Sequence, residues 1–334
     1  MSRSLMVIGG SGFFGKSILD AFARGFLAPW AIDRILVVAR SASRLSVTHP
    51  SLVGAGVELI NADVGTAASL PFADYVIHAA STTDAQRYID DPLGERANIL
   101  AAIDNYARIA RACHADSRII YTSSGAVYGQ QPPELDLLPE TFDPGEASGL
   151  VAYKRDYAEA KRLAEARIAA LGEHGIRTSV ARCFAFVGVH LPRDQHFAIG
   201  NFLADGLAGR PVRVNARKPV YRSYMHADDL VVWLLTIAAA ADLHCPTWNV
   251  GSDEAVTMGD AAEAVARRCG VPALVPAWSE PGEDRYVPSI AKAREALGLA
   301  LAYDLESAID DVVRRVGSAE PLAAAGASDS GKGR

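Results

Sequence analysis

Near its start the chain passes from a strand-like apolar run, Leu5–Gly10, into a helical pattern, Gly12–Arg24, through a turn built on Gly9, Gly12 and Gly15. No other stretch narrows the possible folds as far. Gly9 permits the tight turn, Gly12 lets the backbone approach a pyrophosphate, and Gly15 lets helix and strand pack closely. The helix start adds free N–H groups and the positive end of its dipole. A glycine triplet alone is a common motif; where it joins the first strand to the first helix it specifies a dinucleotide site. Phe13 and Phe14, between the last two glycines, are expected beside the dinucleotide.

Beyond this first helix the chain fits a parallel sheet. Apolar segments at Ile35–Ala39, Val57–Ile60, Tyr75–Ala79 and Arg118–Thr122 alternate with helical stretches, Gly94–His114 among them. Strands apolar on both faces and separated by helices imply an α/β, doubly wound parallel (Rossmann) sheet covered on two sides. A polar, Pro-rich loop, 130–149, comes after Tyr128 and is long enough to suspect a function. A helix at Ala152–Leu171 and a strand at Arg177–Phe184 complete a dinucleotide-binding domain over 1–184. The second half is made of shorter pieces: helices near Ile199–Ala208, Asp228–Ala241, Met258–Arg268 and Leu305–Val316, and strands near Val212–Val214 and Thr247–Val250. They are expected to form a smaller substrate-binding lobe, 185–316, with strands able to return to the sheet. Residues 317–334 are small, polar and Gly-rich, and are expected to be disordered.

Charge and cysteines exclude several classes. With 33 Lys and Arg against 39 Asp and Glu the net charge is -6, which gives no field for nucleic acid. No apolar run reaches the ~18 residues of a membrane span, and no signal-peptide core precedes the first strand. A cytoplasmic protein without a membrane partner is expected. Cys113, Cys183, Cys245 and Cys269 have neither CxxC nor zinc-ligand spacing, so they read as buried thiols of a reducing compartment, and no metal is expected. Asp228 and Asp229 invite a metal, but suit better the start of the helix in which they stand.

The second strand ends Ala39-Arg40-Ser41, with Arg44 beyond, and lacks the carboxylate that an NAD site places there for the ribose hydroxyls. Arg40, Ser41 and Arg44 offer a 2′-phosphate charge-assisted hydrogen bonds, so the cofactor reading leans to NADP over NAD. A solvated basic loop is the alternative. Tyr157 and Lys161 lie one helical turn apart on one face. A phenol with pKa near 10 is a poor base at neutral pH, but a nearby ammonium and an oxidised nicotinamide both favour its phenolate. Ser124, in Thr122-Ser123-Ser124 at the end of the fifth strand, can donate to a substrate oxygen that gains charge. Tyr153 stands one turn before Tyr157, but has no lysine at its own i+4 position.

Taken in this order, these residues resemble the extended short-chain dehydrogenases/reductases, in the NAD-dependent epimerase/dehydratase group, over about residues 5–316. The markers are GGSGFFG, His78–Ser81, YTSSGAVYG, Tyr157 with Lys161, and Tyr221–Leu230. The resemblance implies that Tyr157 is the acid/base, that Lys161 positions the nicotinamide ribose and tunes Tyr157, and that Ser124 polarises the substrate. It puts Asp63 and Val64 near the adenine, Ala79, Ala80 and Ser81 along the cofactor, and Asn98 near the active site. Asn201, Arg222 and Arg285 would hold the diphosphate of a nucleotide sugar. It also implies a homodimer formed through the helices at 94–114 and 152–171.

The departures bear on the reaction. The family's Arg-Tyr-Phe-Asn strand end is Arg182-Cys183-Phe184-Ala185 here, so the sugar side of the pocket differs. Dehydratases of this kind carry Asp-Glu after the hydroxyl residue and decarboxylating relatives a Glu, whereas Gly125 and Ala126 stand in those positions. Elimination therefore lacks its acid/base, and hydride transfer coupled to one proton is left. The resemblance then implies a nucleotide-sugar epimerase acting at a sugar carbon, expected to be C4, in surface polysaccharide or deoxysugar biosynthesis. The alternatives are an NADPH-dependent 4-keto-sugar reductase, a 4,6-dehydratase and a non-catalytic dinucleotide sensor.

Overall fold

The apolar runs of the first half fold as strands β1 (Arg3–Ile8), β2 (Ile32–Ala39), β3 (Val57–Asn61), β4 (Tyr75–His78), β5 (Arg118–Ser124) and β6 (Arg177–Cys183). Between them lie helices α1 (Phe13–Ala23), α2 (Leu45–Thr48), α3 (Ala85–Asp90), α4 (Pro92–Cys113) and α5 (Ala152–Ala169). The second half continues with β7 (Phe186–Val187), α6 (Ala198–Leu207), β8 (Val212–Arg213), β9 (Val220–Arg222), β10 (Met225–His226) and α7 (Ala227–Ala239). It closes with β11 (Thr247–Val250), β12 (Val256–Thr257), α8 (Met258–Cys269), β13 (Ala273–Leu274), β14 (Asp284–Tyr286), α9 (Ala291–Leu297) and α10 (Leu305–Gly317). This computed structural model describes residues 2–82, 85–143, 145, 150–195 and 197–317; positions 318–334 of the expected disordered tail lie outside the described residues.

Seven strands form one sheet in the order β11-β6-β5-β4-β1-β2-β3, and every neighbouring pair is parallel. β1 pairs with β2 on one side and β4 on the other, so the order reverses there and a crevice opens at the carboxyl ends. Alternation along the strands sorts the two faces. Leu5, Val7, Ile35, Val37 and Ile77 pack with residues of α1 and α7, whereas Met6, Ile8, Leu36, Val38 and Val76 pack with residues of α4 and α5. α7 is buried along most of its length, and Trp233 within it is fully buried, donating its indole N–H to the Ala300 carbonyl at 3.1 Å. The second half returns one strand, β11, which runs parallel to β6 with Thr247–Val250 opposite Val180–Cys183. A further core joins α6, α8 and α10 through Ile199, Phe202, Val265 and Ile309.

The elements that the sequence pattern does not reveal are the short ones: α3, α9 and strands of two or three residues such as β9, β12 and β14. So few residues carry no periodicity. The Pro-rich loop is tied to the chain just beyond β14. The Leu138 N–H donates to the Val287 carbonyl at 2.9 Å, and the Leu138 carbonyl accepts from Ser289 N at 2.8 Å. Buried Gln131 accepts from Val287 N at 2.9 Å through Oε1 and donates to the Leu135 and Asp136 carbonyls through Nε2. Loop residues 144 and 146–149 lie outside the described residues.

Asp228 and Asp229 occupy the first turn of α7, where carboxylates favour the helix dipole. Each also ties a distant segment. Asp228 receives Arg24 at 2.9 and 2.5 Å, and Asp229 accepts from Ala302 N and Tyr303 N at 3.0 and 3.2 Å. Among the described residues no three His, Cys, Asp or Glu side chains gather as a metal site. All four cysteines are free thiols; Cys183 and Cys245 are buried, but Cys113 and Cys269 are only half-buried, a correction to the expectation of four buried thiols. The start of α8 carries a capping box: the Thr257 hydroxyl accepts from Asp260 N at 3.0 Å, and the Asp260 carboxylate accepts from Thr257 N at 3.0 Å. Thr257→Ala is expected to cost about 1 kcal/mol, read as a lower urea midpoint at unchanged slope. An unmoved midpoint would show that the box adds nothing to the stability of α8.

Candidate active site

A cleft of about 1120 Å³ runs across the carboxyl ends of the strands. The glycine turn forms part of its floor. Gly9 has φ of +86°, and a Cβ there would lie 2.6 Å from the Ala79 carbonyl oxygen. Gly9, Gly12, Phe13 and Phe14 line the cleft. Gly15 does not; a Cβ on it would meet the Gly10 carbonyl at 2.1 Å, so it serves the close approach of helix to turn. α1 begins just after Gly12, its N-cap, with no side-chain cap and no acidic residue in its first turn. Its leading N–H groups therefore lack a side-chain acceptor where Ser11, Gly12, Phe13 and Phe14 border the cleft, an arrangement that fits a diphosphate.

At one end the cleft is lined by Arg40, Ser41, Asp63 and Val64. Arg40 is exposed, and no described residue pairs with it. Arg44 is exposed and lies outside the cleft lining, on the 3-10 turn Ala42–Arg44 that carries the chain away from β2. Asp63 accepts from Gly65 N at 2.9 Å, which holds the turn after β3. Ala79, Ala80, Ser81 and Asn98 all line the cleft, and the Ser81 hydroxyl lies 3.2 Å from that of Tyr88.

Tyr157 and Lys161 project from α5 toward the end of β5. Lys161 is 3% exposed; its ammonium donates to the Thr122 carbonyl at 3.2 Å and lies 5.9 Å from the centre of the Tyr157 ring. Burial brings Lys161 down to about 8. The Tyr157 ring meets Tyr88 edge-on at 4.9 Å, and its hydroxyl is near that of Ser124. Here the structure departs from expectation. Burial pushes the Tyr157 phenol up to about 12, and the nearby Ser124 side chain only partly draws it back. The chain alone therefore keeps this phenol protonated, because the loss of water around it outweighs its neighbours.

The Ser124 Oγ accepts from Ala126 N at 3.2 Å, and the Tyr286 hydroxyl is a near neighbour. The Tyr286 ring packs against Phe184 at a tilt of 36°, with ring centres 4.6 Å apart. A Cβ at Gly125 would meet the Tyr286 oxygen at 2.5 Å and the Phe184 ring at 2.8 Å. Tyr286 and Phe184 thus fill the space of any side chain at 125. Cys183 also lines the cleft, its thiol pushed up to about 12 by burial.

Of the three residues expected on a diphosphate, Arg222 alone lines the cleft, and it pairs there with Asp284 at 3.0 Å. Asn201 lies outside the lining and donates to the Gln195 carbonyl at 2.8 Å. Arg285 is also outside; it pairs with Glu283 at 3.2 Å and lies over the Tyr221 ring. Alternation along β14 explains this, since Tyr286 faces the cleft and its neighbour must face away. Tyr286, Tyr88 and Phe186 are cleft residues that the sequence does not single out, and none sits in a recognisable spacing.

Residues 5–251 match the NAD dependent epimerase/dehydratase family. UDP-glucuronic acid decarboxylase 1 of Danio rerio is 24% identical over 318 residues, covering 93% of this chain and 72% of the relative. The solved UDP-glucose 4-epimerase of Thermus thermophilus in complex with NAD is similar in fold, with a TM-score of 0.72 at 23% identity and coverage of 93% and 99% of the two chains. A UDP-N-acetylglucosamine 4-epimerase from Methanobrevibacter ruminantium gives 0.75 at 18% identity, covering 95% and 99%.

Proposed function

The chain belongs to the NAD-dependent epimerase/dehydratase family, and from that premise we propose that it is a nucleotide-sugar epimerase that inverts one sugar carbon, C4, by removing and returning a hydride. One observation carries the reading: Ser124, Tyr157 and Lys161 meet in the cleft, while residues 125 and 126 offer no titratable group and Tyr286 fills the space beside them. When bound, the nicotinamide supplies the hydride-accepting carbon and a positive charge. The Tyr157 oxygen removes the proton of the sugar hydroxyl and gives it back. Ser124 donates to the same sugar oxygen as negative charge develops on it. Lys161 gives one of its three hydrogens to the Thr122 carbonyl and has two for the ribose hydroxyls. The decarboxylase relatives favour a different outcome, but a reaction that needs a carboxyl at 125 or 126 has none here. The dimer implied by the resemblance is supported by α4 and α5, which lie side by side and leave Leu93 and Leu163 exposed.

A second reading, a 4-keto-sugar reductase using NADPH, draws support from Arg40, an unpaired cation at the cleft edge among the described residues. Arg40→Glu is expected to weaken NADP⁺ binding at least about tenfold and to leave NAD⁺ binding within a few-fold, measured by fluorescence titration. Equal effects on the two would remove the case for a 2′-phosphate. The reaction is tested with UDP-, dTDP-, CDP- and GDP-sugars and each cofactor, with NMR of the product. An inverted stereocentre without net cofactor consumption supports the epimerase. Stoichiometric NADPH oxidation supports the reductase, and loss of water or carbon dioxide overturns both.

A further inference from the structure

We propose that the sugar of the substrate carries a carboxylate, so that the chain acts on a nucleotide-linked uronic acid, and that Arg87 and Lys154 receive that carboxylate. This deepens the reading above by naming the substrate class, and it rests on that reading for where the sugar lies. Away from the end occupied by Arg40 and Asp63, the charged residues that line the cleft are Arg87, Glu95, Lys154, Lys161 and Arg222. Three of them are already engaged. Lys161 donates to the Thr122 carbonyl, Arg222 pairs with Asp284 at 3.0 Å, and Glu95 accepts from Asn98 at 3.5 Å. Arg87 and Lys154 have no ion pair and no side-chain hydrogen bond among the described residues. In a chain whose net charge is -6, the cleft thus holds two cations that no carboxylate answers.

Their places put both charges beside the reacting carbon. Lys154 and Tyr157 are three residues apart on α5, so their side chains are neighbours on one face, with Cβ atoms about 5–6 Å apart. Arg87 precedes Tyr88 on α3, and the Tyr88 ring meets that of Tyr157 at 4.9 Å. The sugar oxygen that gives up its proton lies at Tyr157. A carboxylate carried by the next ring carbon is two bonds from the reacting one, within reach of two long side chains that are exposed on the open side of the cleft. The fork of Arg87 offers a carboxylate two parallel hydrogen bonds, and the ammonium of Lys154 adds a point charge. The two diphosphates have other partners, the leading N–H groups of α1 for the dinucleotide and Arg222 on β9 for the sugar nucleotide. Gly125 and Ala126 place no like charge beside Ser124 to repel the anion. A neutral sugar would leave both cations with water alone.

Calorimetric titration of the NAD⁺-saturated chain at low ionic strength compares UDP-glucuronate with UDP-glucose, UDP-galacturonate with UDP-galactose, and GDP-mannuronate with GDP-mannose. For whichever nucleotide binds, the uronate is expected to bind at least about tenfold more tightly than its neutral partner. Arg87→Gln and Lys154→Gln each lower that preference about threefold, and together they remove it, while affinity for the neutral sugar stays within about twofold. Both side chains are exposed, so melting is unchanged and the variants fold. Equal affinity for the two members of a pair overturns the proposal and leaves the nucleotide-sugar reading standing. An equal loss for both sugars in the double variant also overturns it, since the two cations would then serve the diphosphate. If no sugar nucleotide of either kind binds, the nucleotide-sugar reading itself falls and the proposal falls with it.

Discussion

Tyr157→Phe is expected to lower turnover by about a hundredfold to ten-thousandfold, the usual worth of a placed acid/base, with the fold intact. The substitution removes one oxygen and leaves the ring against Tyr88, so the packing of α5 on α3 is preserved. What is lost is the only phenol among the described residues that is both beside Ser124 and one turn before Lys161 on α5. Three measurements check this: product formation by NMR, thermal melting, and dinucleotide affinity by fluorescence. Melting within a degree or two of the parent chain together with near-total loss of product is the expected combination. Turnover that persists within a few-fold would place the proton transfer on another group and remove the basis of the proposed mechanism.

Lys161→Met is expected to make the protein more stable and nearly inactive. The folded-state pKa of about 8 lies below the ordinary 10.5, so burial of the charge opposes folding. Below pH 8 the lysine is charged in both states and the folded state bears the whole cost, on the order of 3 kcal/mol. Between pH 8 and 10.5 the unfolded chain binds more protons, so stability rises with pH; above 10.5 the cost has gone. Methionine removes the charge at similar volume and loses one hydrogen bond to the Thr122 carbonyl, about 1 kcal/mol, for a net gain of about 2 kcal/mol at neutral pH. Urea unfolding at pH 7 and at pH 10 reads both parts: the variant exceeds the parent at pH 7, and the difference closes at pH 10. Turnover falls about a hundredfold, since a charge about 6 Å from the reacting phenol is worth roughly 3 kcal/mol at an effective dielectric constant of 20. A variant less stable than the parent at pH 7 would show that the ammonium is better solvated than its burial implies.

The legibility of each feature depends on how local its signal is. The turn at Gly9–Gly15, strands β1–β6 and the Tyr157–Lys161 spacing depend on neighbours in sequence, and all are where the residues imply. Asp228 and Asp229 were also legible, because a helix start leaves a local mark. Tyr286 was not. It enters the cleft from a distant part of the chain, on a strand of three residues, and the residue after it, Val287, is held by a loop that on its own reads only as polar. Arg285 was misplaced for the same reason, since the register of so short a strand is set by pairing with β9 and not by pattern. The phenol of Tyr157 shows the energetic side of this limit: its neighbours are legible in the sequence, but the degree of its burial is a property of the assembled fold.

The late return of β11 to the sheet has a consequence for how this molecule can be divided. A fragment cut after β6 would bare that strand along a full edge and strip one sheet face of α7, including Trp233. Gene fusions or truncations that treat the first 184 residues as a separable unit should therefore yield aggregates, whereas a nick inside the Pro-rich loop leaves every sheet strand in place.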